Sequence, residues 1–317
     1  MINHHRGLVP ILLVLFALTA SGQSPREAHD RFDRGRERYA KGDLDGAVAD
    51  FTRAIELSQR GSSNNPLRGQ NWIAESYAED TEDAANKIVF IDRLTAAAYA
   101  NRAMARYLKG DFTGAIADCD RALIINPGLS PAYNNRGVVR WAKGDLDGAL
   151  TDFDQLIRMN SHDAQAFDNR GNVRILTGDR VGALADFDQA IRLSPRHAEF
   201  YCDRGQARRG RADVEGALAD FERAVELNPR LAFAYYSRGT GWYTKQDYNH
   251  ALADFSRAIE LNSSYSLAYA LRGMTRLRLG QDSEAEKDFA ECLRLDSSLK
   301  PNVEQIIQAE TKRRASP

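Results

Sequence analysis

The sequence predicts an all-α fold: a solenoid of 34-residue helix-turn-helix repeats closed by a C-terminal capping helix. Three observations predict it. Seven segments lie on one 34-residue grid, beginning at Ala28, Ala96, Ser130, Ala164, Ala198, Ala232 and Ser266. Small and aromatic residues recur at fixed places in each segment, at the spacing of one helix face. A single hairpin of this kind cannot bury its own apolar face, so neighbours must stack.

Each repeat divides into two helices, over roughly positions 1–14 and 17–30. Position 8 is Gly35, Ala103, Gly137, Gly171, Gly205, Gly239 and Gly273, and position 20 is always alanine. Position 24 is Phe51, Cys119, Phe153, Phe187, Phe221, Phe255 and Phe289. Small residues at 8 and 20 let the helices approach, and the ring at 24 fills the space left between them. The turn is Lys-Gly-Asp in several copies (Lys41–Asp43, Lys109–Asp111, Lys143–Asp145). Glycine takes the left-handed conformation that ends a helix and aspartate caps the next. Pro127, Pro195 and Pro229 follow second helices.

The period and the small–small–aromatic–small order resemble the tetratricopeptide repeat family over residues 28–59 and 96–299. The resemblance implies a right-handed superhelical solenoid with an extended concave surface for a protein or peptide partner. It also implies ligand-facing residues at positions 2, 5, 6, 9, 12 and 13 of the first helices. Carried onto this chain, the candidate groove residues are Asn101, Tyr107, Asn135, Trp141, Asp168, Asn169, Asn172, Arg209, Tyr236 and Tyr243. Asparagine pairs with both groups of an extended peptide backbone, and the aromatics offer rigid contact area. Some family members grip a C-terminal carboxylate with lysines; here Ala97, Ala100, Pro131 and Asn134 occupy the lysine positions. That departure argues against a chaperone-type acidic C-terminal ligand.

Position 7 is arginine and position 23 aspartate in all seven repeats, from Arg34 and Asp50 to Arg272 and Asp288. The expectation is a ladder of interhelical ion pairs, because guanidinium and carboxylate match bidentately; an anion-binding stripe is the alternative. Position 11 adds six more arginines, for which aspartate at position 16 is the candidate partner.

The expected organisation is a signal peptide at 1–22, a first repeat at 28–61, an odd segment at 62–95, six contiguous repeats at 96–299 and a cap at 300–317. The leader has His4, His5 and Arg6, an apolar run from Leu8 to Leu18, and the small residues Ala20, Ser21 and Gly22. This is the layout of an export signal cleaved before Gln23; cleavage after Ala20 and an uncleaved membrane anchor are the alternatives. The stretch Leu18–Ser21 looks like a lipoprotein box with serine in place of the acceptor cysteine, so no lipid anchor is expected. The location read from this is periplasmic or secreted, with no membrane insertion after cleavage. Within 62–95, Gly61–Pro66 reads as a loop and Asp83–Leu94 as helix; a degenerate repeat and an insertion both fit. Trp72, Tyr77 and Glu79–Asp83 are contact candidates there. In the cap, Val303, Ile306 and Ile307 form an apolar side opposed to charged residues.

A net charge of -1 gives no bulk attraction to nucleic acid. No phosphate loop, HExxH, CxxC or GxSxG motif occurs, so no cofactor, metal or catalysis is expected. Cys119 and Cys292 fall at core positions; Cys202 falls on the ligand-facing helix, where an exposed thiol is possible. The function expected is that of an interaction adaptor, with a self-associating or envelope-assembly subunit as the alternative.

Overall fold

The structure, a computed structural model, describes residues 23–63 and 80–315. The expected export segment 1–22 and the candidates Trp72, Tyr77 and Glu79 lie outside them. The described residues hold fifteen α-helices and no strand. They fall into two compact units, one running up to Val173 and the other starting at Arg174, within one helix.

The N-terminal unit holds α1 (Gln23–Ala40), α2 (Leu44–Ser63), α3 (Asp80–Leu108), α4 (Phe112–Ile125), α5 (Ser130–Lys143), α6 (Leu146–Met159) and the start of α7 (Ala164–Thr177). Local sequence explains each hairpin. Gly42, Gly110 and Gly144 carry positive φ after the first helices. Asp111 and Asp145 then accept the backbone N–H of Gly114 and Gly148, three residues into the next helix. Second helices end at Asn126 and Asn160, whose N–H groups bond back to Ala122 and Leu156. Proline, where present, follows one residue after this cap and cannot continue the helix.

The interior joint is tight. A Cβ on Gly137 would stand 2.8 Å from the Phe153 ring. In the repeat at 96–129 the two positions exchange volume: Ala103 carries the Cβ, and Cys119 replaces the ring in a cluster with Ala115 and Val139. Burial pushes the Cys119 thiol up, as expected of a small core residue.

α2 runs to Ser63, three residues into the stretch expected as a loop, and α3 is one unbroken 29-residue helix. With no Gly or Pro between Asp80 and Leu108, nothing ends it earlier. The first repeat packs on α3 in the register of consecutive repeats. Arg102 Nη1 donates to Thr52 Oγ1 at 2.9 Å, the counterpart of Arg136 Nη1 to Asp120 at 2.6 Å. Lys109 pairs with Asp45 as Lys245 pairs with Glu215 elsewhere in the chain. The hairpins at 28–61 and 96–129 are therefore direct neighbours, although a full period of chain separates them in sequence.

The C-terminal unit contains the end of α7, α8 (Arg180–Leu193), α9 (Ala198–Arg209), α10 (Val214–Leu227), α11 (Ala232–Thr244), α12 (Tyr248–Leu261), α13 (Ser266–Arg278), α14 (Asp282–Leu295) and α15 (Lys300–Ala315). Its turns are less regular. Gly178 and Gly280 have positive φ, but Ala212 and Gln246 are each held at φ 63° in the same place. The cap α15 buries Val303 against Ala270, Ala285, Phe289 and Cys292, with Ile306 packed beside it. Ile307 departs from the expected apolar side and is 43% exposed. A turn of α-helix cannot aim residues 303, 306 and 307 equally inward, and the outermost faces solvent.

Candidate functional site: the first-helix faces

The arginines at position 7 are engaged in the fold. Arg102 forks onto Asp118 through Nε at 2.8 Å and Nη2 at 2.7 Å. Arg136, Arg204, Arg238 and Arg272 do the same to Asp152, Asp220, Asp254 and Asp288. These carboxylates are buried, at 1–5% exposure. Position 11 joins the same acids: Arg106 reaches Asp118 at 2.9 Å, Arg140 reaches Asp152 at 2.8 Å and Arg276 reaches Asp288 at 2.7 Å. Aspartate at position 16, the expected partner, is a secondary contact at 3.8 Å for Arg106–Asp111 and 3.6 Å for Arg140–Asp145. One buried carboxylate thus serves two guanidiniums. In the first repeat, the Arg34 hydrogen bond holds the Asp50 carboxyl below the usual carboxylate range. The geometry is the ladder, not an anion-binding stripe.

The expected asparagines are not solvent-facing. Asn101, Asn135, Asn169 and Asn172 are 2%, 1%, 3% and 7% exposed, and Asp168 is 4% exposed. Asn135 Nδ2 donates to the carbonyl of Ala100 at 3.1 Å, joining α5 to α3. Asn169 Nδ2 donates to Asn134 Oδ1 at 3.1 Å, joining α7 to α5. Asn172 Nδ2 donates to Asp168 Oδ2 at 3.2 Å. The physical reason is proximity: adjacent first helices bring a neighbour's backbone and amide groups within reach, and a buried amide takes the nearest partner. Asn101 alone has neither amide atom hydrogen-bonded.

The aromatic candidates behave differently. Tyr107 and Trp141 are half-buried at position 12 of neighbouring repeats in the N-terminal unit. Tyr39 precedes them at the same position, and burial pushes its hydroxyl up to about 12. In the C-terminal unit, Tyr236 packs 4.9 Å from Tyr265 and 6.1 Å from Phe255 between ring centroids, and burial pushes its hydroxyl up to about 12. Tyr243 is half-buried; its hydroxyl accepts from Arg278 Nε at 3.1 Å. Arg209 is half-buried, has no ion-pair partner among the described residues, and leaves its Nε without a hydrogen bond. The structure thus places Arg209, Tyr236 and Tyr243 in one unit, where the Arg209 guanidinium is unpaired among the described residues while both rings are partly engaged, Tyr236 with Tyr265 and Phe255 and Tyr243 with Arg278. Tyr107 and Trp141 lie in the other.

All three cysteines are buried, so Cys202 is not the exposed thiol considered from sequence. It packs with Ala198, Ala224 and Ala234. Among the described residues no group of three or more His, Cys, Asp or Glu is placed to hold a metal, and no helix is long and apolar enough to cross a membrane. Sequence reasoning missed Arg278. It sits at position 13 of the last repeat, where only the adjoining α15 turns it into part of a cavity.

Family models for the tetratricopeptide repeat match residues 68–130, 134–198 and 170–232, and residues 267–299. The chain belongs to the tetratricopeptide repeat family. Its membership supports a protein–protein interaction scaffold, and this family and fold are typically non-catalytic. The first match begins inside the 62–95 segment. No curated protein matches the chain. Among solved structures, a tetratricopeptide repeat protein from Parabacteroides merdae is 17% identical, with 90% of this chain and 99% of that chain covered at a TM-score of 0.66. Pseudomonas aeruginosa pilF is 17% identical over 68% of this chain and 97% of its own, with a TM-score of 0.56. A chain of the APC/C Cut9–Hcn1 hetero-tetramer is 14% identical over 89% of this chain and 54% of its own, with a TM-score of 0.61. At these identities the likeness is one of fold.

Proposed function

We propose that this tetratricopeptide protein is an adaptor that holds an extended peptide or partner protein against its first-helix faces. One observation carries the reading. Arg209, at position 12, is a half-buried guanidinium beside Tyr236 that has no ion pair among the described residues, in a protein whose arginines at positions 7 and 11 are ion-paired. A cation left without a carboxylate, beside the Tyr236 ring, favours a ligand that brings an acidic group. Tyr243 extends that face. In the N-terminal unit Tyr107 and Trp141 are the corresponding contacts, and the asparagines maintain the spacing of the helices that carry them.

The leader supports an exported adaptor, periplasmic or secreted, with the mature chain starting near Gln23. Intact-mass measurement of protein from the envelope fraction tests export; a full-length chain confined to the cytosol contradicts it. For binding, a photo-cross-linking side chain at Tyr243 should capture the partner in cells. The same group at Ile124, which is 79% exposed on a second helix, should not. Equal capture from both sites contradicts the reading. Self-association is read from the same experiment, as cross-linked dimers of this chain.

A further inference from the structure

The C-terminal unit contains a cavity of about 290 Å³ between α13 and α15, lined by Met274, Arg278, Asn302, Gln305, Ile306, Ala309 and Glu310. Its volume stands at the lower bound of small-molecule pockets, so it suits a fragment-sized group rather than a length of chain. Its wall has two characters. Met274, Ile306 and Ala309 are apolar. Arg278 is held by its Nε, which contacts Tyr243 Oη at 3.1 Å and Glu310 Oε2 at 3.2 Å. No hydrogen bond or ion pair engages its two terminal nitrogens among the described residues.

The charge balance favours an anion. Glu310 is 5% exposed and receives Arg313 at 2.6 Å and Arg314 at 3.1 Å as well as Arg278. Arg314 also pairs with Asp282 at 2.8 Å. Three guanidiniums therefore face two carboxylates, and one positive charge is in excess. The hydrogen bond from Arg313, with Arg314 behind it, holds the Glu310 carboxyl below the usual carboxylate range. Glu310 thus anchors the arginines and leaves the outer edge of Arg278 to another acid. A guanidinium fork beside an apolar pocket recognises one chemistry: a carboxylate on a short apolar group.

We propose that this cavity is a binding site for an apolar monocarboxylate, its carboxylate on the terminal nitrogens of Arg278 and its hydrocarbon against Met274, Ile306 and Ala309. A free branched or medium-chain acid and the end of a peptide with an apolar last residue share that chemistry. The site is lined by α13 and α15 without Arg209 or Tyr236; it shares with the adaptor reading only Tyr243, whose hydroxyl braces Arg278 from outside the cavity lining.

The test uses the full chain with methyl-labelled methionine and the probe 4-methylpentanoate, followed by NMR. Met274 should shift saturably, with a dissociation constant on the order of 1 mM or below, while Met104 and Met159 stay fixed. The amide of the same acid should bind at least about tenfold more weakly, having lost the charge that Arg278 recognises. Ala309→Phe fills the cavity, touches none of the ion pairs and should abolish the Met274 response. Arg278→Met should abolish it too; if that variant loosens α15, the Ala309→Phe result decides. N-acetyl-glycyl-leucine, added separately, assigns the source: tighter binding than the free acid points to a chain terminus, and weaker binding to a small acid. Equal binding of acid and amide, binding that survives Ala309→Phe, or no saturation by either acid overturns the proposal.

Discussion

The first helices of the two units use the same repeat positions for different purposes. In the N-terminal unit, position 6 is the half-buried Asp33 in the first repeat and then Asn101, Asn135 and Asn169, all three buried, two of which bond to the neighbouring first helix. In the C-terminal unit that position holds Asp203, Ser237 and Leu271, and the unpaired cation is Arg209 at position 12, with Tyr236 at position 5 beside it and Tyr243 at position 12 of the next repeat. A polar side chain on a ligand-facing helix is thus not a ligand contact by default. Where a neighbouring backbone carbonyl lies within reach, burial assigns it to the scaffold, because an unpaired buried donor or acceptor costs about 1–3 kcal/mol.

That contrast can be broken by mutation. The largest effect belongs to the ladder common to both units. Arg102→Ala leaves the buried Asp118 with Arg106 alone, and should cost about 3 kcal/mol of stability. Chemical denaturation checks this; an unchanged midpoint would restore the anion-stripe reading. Asn135→Ala should come next, at about 1–3 kcal/mol, since the Ala100 carbonyl loses its donor inside the joint. Partner affinity should follow only as far as the fold loosens. Arg209→Ala should leave the melting temperature nearly unchanged and weaken the cross-linked partner by about 1.5–3 kcal/mol, as loss of a charge-assisted contact does.

Acid sharpens the comparison at the two ends of the chain. Asp50, depressed chiefly by Arg34, and Glu310, depressed chiefly by Arg313, stabilise the folded state fully above ordinary carboxylate values, near 4. That contribution is lost as pH falls through their lower folded values. Hydrogen exchange followed from pH 7 to pH 3 should show α1, α2 and α15 losing protection across that window. Constant protection there would mean that neither pair is linked to folding. The smallest effect is a gain. Ala212, at φ 63°, occupies a turn position that is glycine in every N-terminal repeat, so Ala212→Gly should stabilise the C-terminal unit by about 1 kcal/mol.

Much of the fold was legible because its determinants are local and repeated. The Gly–Phe joint, the aspartate caps and the pairing of positions 7 and 23 each recur at fixed spacing, and the structure forms them where the spacing places them. The site was less legible, because burial at positions 6 and 9 depends on how closely adjacent first helices approach. Sequence gives the residue type, but not whether Ala100 or Asn134 stands within bonding distance. The first repeat's contact with α3 was hidden for a related reason: a full period of chain separates residues that touch. Arg278 needed the α15 cap in place before it became part of a wall.

The most direct test of the central claim is the affinity of the partner captured at Tyr243 for four purified variants, each measured beside a thermal melt. The account predicts that Arg209→Ala loses at least about tenfold in affinity at nearly unchanged melting temperature, and that Tyr243→Ala loses as much affinity with a melting temperature lowered only by loss of its Arg278 contact. Asn135→Ala and Asn169→Ala should lower the melting temperature and leave the affinity of the folded protein intact. Full loss of binding in the asparagine variants, with wild-type affinity in the Arg209 and Tyr243 variants, would contradict it.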